Sequence, residues 1–153
     1  MSANPDNFTP SDYYDLSFEI EKSVKTNSAI NLCGKNSAWL RAAISRAYYA
    51  AFLTLRAAFQ NNPNLKMYLI YETQDHQTII DKLYTLKGTM KVYANNMKVL
   101  RGNRNHCDYH LSPNFDNTPG IPTWDVTPGV AETSIKNAKK IIENAQYITS
   151  NIT

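Results

Sequence analysis

The sequence predicts an all-α protein, an up-and-down bundle of four to five helices forming one domain over residues 1–153. Three observations carry this reading. Apolar residues recur at helical spacing through most of the chain, helix start and stop residues flank those stretches, and no segment shows the strict alternation of a strand. With 153 residues, 42% apolar and 19% charged, the chain is long enough to bury a core without disulfides or metal and too apolar for disorder.

Thr9-Pro10-Ser11-Asp12 reads as a helix start, because Thr9 can cap free amides and proline is tolerated at the first helical position. Tyr13, Leu16, Ile20 and Val24 then form an apolar stripe. The polar stretch from Thr26 to Asn36, with Gly34, interrupts it. A second helix is expected from Ser37 to about Gln60. Its apolar residues recur as Trp39/Leu40, Ala43/Ile44, Ala47/Tyr48, Ala51/Phe52, Leu55 and Ala58/Phe59, wide enough for several neighbours, so this is the expected central helix.

Asn61-Asn62-Pro63-Asn64 ends that helix, and Leu65 to Tyr71 is compatible with a loop, one helical turn or a packed extended piece. A third helix is expected from Thr73 to Asp75 onward, carrying Ile79, Ile80, Leu83 and Leu86 to near Gly88. In a fourth, Met90, Tyr93, Met97, Leu100 and Arg104 share one stripe, which sets an arginine on a face that meets protein. Ser112 to Pro128 holds four prolines and reads as a long irregular connection, with Phe115 and Trp124 available to pin it. Thr127-Pro128 caps a last helix with Ala131, Ile135, Ala138, Ile142 and Ala145 on its apolar face.

No window approaches the roughly 20 apolar residues needed to cross a bilayer, and no basic-then-apolar leader stands at the N-terminus. A cytoplasmic protein with no membrane contact is expected, with Cys33 and Cys107 as thiols. The net charge of +3 is less informative than its distribution. No acid occurs from Lys22 to Tyr71 or from Lys82 to Cys107, while both segments carry several cations. Such segments either attract a polyanion or are ordinary solvated helix faces.

The densest chemistry lies in Arg104-Asn105-His106-Cys107-Asp108-Tyr109-His110. Arginine offers a fork of donors that fits phosphate, and histidine, with an unperturbed pKa of about 6.5, exchanges protons near neutrality. Spacing alone leaves Arg104 two readings, a phosphate contact or an ion pair with Asp108 one turn later. His110 is equally suited to proton transfer or to a favourable place near the last carbonyls of a helix. His106 is a candidate phosphate or proton-transfer residue, although a solvent-facing side chain is the simpler expectation. His106, Cys107 and His110 lack a fourth partner at any recognisable zinc spacing, so neither a metal nor another cofactor is expected.

Two stretches, Ser45-Arg46-Ala47-Tyr48-Tyr49-Ala50-Ala51-Phe52 and Leu100-Arg101-Gly102-Asn103-Arg104-Asn105-His106-Cys107-Asp108-Tyr109-His110, resemble HEPN domains, as does His76 ahead of Ile79-Ile80 and Leu83. The hallmark of that family is an arginine followed by four to six residues, the first of them polar, and then a histidine; Arg104, Asn105 and His110 fit it. The resemblance implies a helical bundle and, in active members, metal-independent RNA cleavage where two copies of the motif meet in a homodimer. Many members are toxins or host-defence effectors, and others cleave nothing. On this resemblance Arg104, His110 and Asn105 are the catalytic candidates. Arg101, Lys98, Arg46 and His106 are the RNA- or phosphate-binding candidates.

Tyr109 is a candidate modification point, because some toxin members resemble systems in which a nucleotidyltransferase antitoxin adenylylates a tyrosine close to the motif. The alternative function is a non-catalytic binding module that partners such a nucleotidyltransferase or a larger complex. One geometric constraint is independent of the family. Six residues along a regular helix turn through about 600°, so Arg104 and His110 act together only if the helix ends or bends, or if two chains contribute. A stripe of Met97, Leu100 and Arg104 that runs on into a dimer interface is the expectation that follows.

Overall fold

A computed structural model describes residues 9–26, 36–109 and 126–152 of the chain. Five α-helices follow in order: α1 (Pro10–Thr26), α2 (Asn36–Asn61), α3 (Glu72–Leu83), α4 (Lys91–Tyr109) and α5 (Pro128–Ser150). Short 3-10 turns at Lys66–Tyr68 and Gly88–Met90 lead into α3 and α4. No strand occurs among the described residues, so the chain is all-α as its periodicity predicts. Cys33, His110, Phe115 and Trp124 lie outside the described residues.

The helix starts follow from local chemistry. Thr9 Oγ1 accepts the Asp12 N–H at 3.3 Å, and Asp12 Oδ2 accepts the Thr9 N–H at 2.6 Å, a reciprocal box that satisfies free amides at the head of α1. Thr127 caps α5 in the same manner, with Oγ1 accepting the Val130 N–H at 3.3 Å. Asn62 ends α2 and ties it to α5, since its Nδ2 donates to the Thr149 carbonyl at 3.2 Å.

α2 is the central element, packed against α1, α4 and α5 and touching α3. Its alanines 43, 47, 50, 51 and 58 are buried and let neighbours approach, while Tyr48, Phe52, Leu55 and Phe59 fill the spaces between them. Ile79 and Leu83 of α3, Met97 and Leu100 of α4, and Ile141 and Ile148 of α5 complete this core. A second cluster of Leu40, Ile44, Cys107, Val126 and Ala131 closes the end where α4 finishes and α5 begins. α3 is fixed through Asp75, 1% exposed, which pairs with Arg56 at 2.7 Å and accepts the Ile70 N–H at 3.2 Å.

Two expectations are corrected. Leu16 is 39% exposed, and α1 instead buries Ser17, Ile20 and Glu21, the last paired with Lys25 at 2.6 Å. α3 ends at Leu83, five residues before Gly88, because the hydrogen bonds beyond Tyr84 shift to the tighter three-residue pattern. Gly88 then takes φ +58 at the start of the turn into α4. The stripe residues Met97 and Leu100 are both fully buried in the core of their own chain, and Arg104, the next on the stripe, keeps a side chain 17% exposed.

Candidate functional site

The last two turns of α4 lie against α2, and beside the apolar cluster around Cys107 this contact has a polar part. Arg104 sits in it with a side chain 17% exposed. Its Nη2 donates to the Tyr49 hydroxyl at 2.5 Å and its Nη1 to Asn105 Oδ1 at 3.0 Å. Its Nε lies 2.7 Å from Asp108 Oδ2, an ion pair off the line of a good hydrogen bond. Asp108 Oδ2 also accepts from the Ser45 hydroxyl at 3.3 Å. The Arg104–Asp108 pair expected from spacing is therefore present, but it is largely enclosed rather than a surface arrangement.

Aromatic rings complete the enclosure. The guanidinium carbon of Arg104 stands 5.1 Å from the Tyr49 ring centre and 5.2 Å from that of Tyr109, both within cation–π range. Burial works against the Arg104 charge, yet Tyr49, Asp108 and Tyr109 outweigh it and hold the pKa above the ordinary arginine value. Behind this arginine, the Tyr48 hydroxyl is 2.5 Å from His76 Nδ1, and the His76 ring stacks on Phe52 at 3.7 Å between centres. Burial raises the Tyr48 pKa, so the phenol stays protonated.

These partners were not assigned from sequence. Ser45, Tyr48, Tyr49 and Phe52 read as a packing stripe, and His76 only as a point of resemblance. One signal was available: three of those four stripe residues end in a hydroxyl, and a buried hydroxyl requires a partner on a facing helix.

On its other side α4 faces α3 across an open groove of about 520 Å³. Gln77, Ile80 and Tyr84 line it from α3 and its end, and Lys98, Arg101, Gly102 and Asn105 from α4. Arg101 Nη1 donates to Gln77 Oε1, whose amide nitrogen donates to Asp81 at 2.7 Å. Lys98, Arg101 and Asn105, three of the candidates from sequence, thus share one cavity. Asn105 joins that cavity to Arg104 through its own side-chain oxygen.

The other candidates are elsewhere. The Arg46 guanidinium lies 5.6 Å from the Tyr13 ring centre, and that ring is 6.2 Å from Tyr49, at the far end of the same aromatic row. His106 is corrected from solvent-facing to buried, at 2% exposed. Arg41 Nη1 draws the last turn of α4 against α2 by donating to the carbonyls of His106 at 3.2 Å and Cys107 at 3.3 Å. A ring enclosed in this way does not meet an RNA phosphate arriving from solvent. Burial pushes the Cys107 thiol up to about 12, far from a thiolate nucleophile at neutral pH. Tyr109, by contrast, is 65% exposed. Among the described residues no three His, Cys, Asp or Glu side chains converge as a metal site, and no helix is long and apolar enough to cross a membrane.

The fold and this corner of it define a helical bundle with an arginine and a neighbouring asparagine presented near the end of a helix, beside a basic groove. A family model described as the HEPN domain matches residues 12–148, and the chain belongs to that family. An uncharacterized protein of Methanocaldococcus jannaschii is 31% identical over 157 aligned residues, which cover 95% of this chain and 89% of that protein. No solved structure matches the chain.

Proposed function

We propose that this protein is a metal-independent endoribonuclease of toxin or host-defence type, in which Arg104 and His110 act on RNA where two chains meet. The observation that carries the reading is the joining of Arg104, through Asn105, to a groove whose lining, among the described residues, includes Lys98 and Arg101 and no carboxylate. In the reaction the 2′-oxygen attacks phosphorus as its proton passes to a base. The bond to the 5′-oxygen breaks as an acid protonates that leaving group, giving a cyclic phosphate and a 5′-hydroxyl. His110 suits proton transfer, Arg104 the charge of the phosphorane, and Asn105 the orientation of Arg104. Six residues of regular helix turn through about 600°, so the two side chains meet either past a helix end or across two chains, and the second is the arrangement proposed.

The test is incubation of wild-type and His110→Ala protein with several RNAs in chelator, followed by analysis of the ends. Cyclic phosphate ends from the wild type only are expected. RNA left whole by the wild type, with and without chelator, rejects catalysis. A 17.4 kDa monomer in light scattering at micromolar concentration rejects the two-chain site.

A second reading is favoured by one specific observation. Arg104 is already engaged by Asp108, Tyr49 and Asn105 of its own chain, which suits a non-catalytic module that partners a nucleotidyltransferase-type antitoxin, with exposed Tyr109 as the modified residue. In that case Arg104→Ala and His110→Ala weaken assembly with the partner and no RNA ends appear.

A further inference from the structure

The groove between α3 and α4 contains more than the cations used above. Arg101 and Arg104 are three residues apart on one helix, yet their partners differ in charge. Arg104 is paired with the Asp108 carboxylate, whereas Arg101 is held by the neutral amide oxygen of Gln77. Arg101 therefore keeps its charge for a ligand. Lys98 lies one turn before it on the same wall, and no ion pair among the described residues engages either cation. Asp81, one turn on from Gln77 in α3, accepts from the Gln77 amide nitrogen at 2.7 Å.

Gly102 is the second observation. It stands inside α4, where glycine costs about 1 kcal/mol relative to alanine. Its φ is not in the left-handed region, and a Cβ there would meet nothing within 4 Å. Neither backbone conformation nor packing requires a glycine at this point. What the missing side chain does is leave the groove wall open between Arg101 and Asn105. The third observation is Tyr84, which follows α3 at the rim. It is 43% exposed, and among the described residues no ring or cation stacks on it.

The geometry points to a nucleotide-binding subsite in this groove: one unpaired nucleotide of an RNA strand, its phosphate on Lys98 and Arg101 and its base on the face of Tyr84, over the space left by Gly102. An aromatic platform beside a track of cations is how single strands are held, because every base has a stacking face. The volume is within the range of about 300–1,000 Å³ usual for small-ligand sites. A duplex does not fit this arrangement, since its base faces are stacked inside the helix. Arg101 and Arg104 are about 4.5 Å apart along the helix axis, so the nucleotide held here adjoins the phosphate at Arg104. The inference rests on the RNA reading above and adds where the strand is held and in what form.

The test is fluorescence anisotropy of a labelled single-stranded oligoribonucleotide against full-length His110→Ala protein, with cleavage by the His110-intact protein measured in parallel. Tyr84→Leu is expected to weaken binding about tenfold. Gly102→Leu, a good helix former whose side chain enters empty space, is expected to weaken it by blocking the groove. Lys98→Gln and Arg101→Gln should each lower the slope of log affinity against log salt by about 0.7. Inorganic polyphosphate, which has the charge and no base, should respond to the two cation variants and show no loss with Tyr84→Leu. Tyr147→Leu on α5, exposed and away from the groove, is the control.

Wild-type affinity in both Tyr84→Leu and Gly102→Leu, with cooperative melting confirming that they fold, overturns the subsite. If those variants also cut RNA like the wild type, the subsite fails while the ribonuclease reading stands. RNA bound with the predicted pattern but never cut leaves the subsite and removes the ribonuclease.

Discussion

The two sides of α4 differ in how completely their polar groups are matched. Toward α2, the Arg104 guanidinium is surrounded by Tyr49, Asn105, Asp108 and the Tyr109 ring. Behind it Tyr48, His76 and Phe52 fill the remaining space. Toward α3, Lys98 and Arg101 stand over open volume with an amide for company. A filled, satisfied seam holds geometry but takes in nothing without first giving up contacts. An open groove of one charge sign takes in a ligand and pays little for doing so. The residue that the family motif marks is therefore the one already held, and its neighbours one and two turns earlier are the ones open to a ligand, which under the proposal is an RNA strand.

Substitutions on the two sides should consequently behave in opposite ways. Phe52→Ala removes a fully buried ring from the seam side and should cost about 3–5 kcal/mol in urea unfolding. A loss below 1 kcal/mol would mean that the seam is far looser than described. Tyr49→Phe keeps the ring and removes the hydroxyl that accepts from Arg104. Because Tyr49 is only partly buried, the cost should fall toward the lower end of the roughly 1.5–3 kcal/mol typical of a hydrogen bond to a charged group. No change in the urea midpoint would place Arg104 elsewhere in solution. The smallest effect has the opposite sign. Gly102→Ala on the groove side should stabilise by about 0.8–1 kcal/mol, since the added methyl meets nothing. A destabilised variant would show that the groove is closed in solution.

Much of the fold was legible because local chemistry and helical period agree with packing. Thr9 and Thr127 cap where they should, and Ala131, Ile135, Ala138 and Ala145 all turn inward along α5. What escaped was set by contacts between distant segments. Which face α1 buries depends on α2 and α5, so Glu21 goes in and Leu16 stays out. His106 is buried because Arg41, 65 residues earlier, holds the carbonyls of the last turn. Tyr49 becomes a partner of Arg104 across 55 residues of sequence. The site was legible as a short list of candidates, and its division into a seam and a groove was not, because that division depends on which of two neighbouring helices each turn of α4 faces.

The most direct test of that division is amide chemical-shift mapping of the His110→Ala protein as a short single-stranded oligoribonucleotide is added. The account predicts shifts at Gln77, Tyr84, Arg101 and Gly102. It predicts none at Thr127, Gly129 and Val130, which line a separate hollow at the start of α5. Shifts confined to that hollow, or none on the α3–α4 groove, would contradict it.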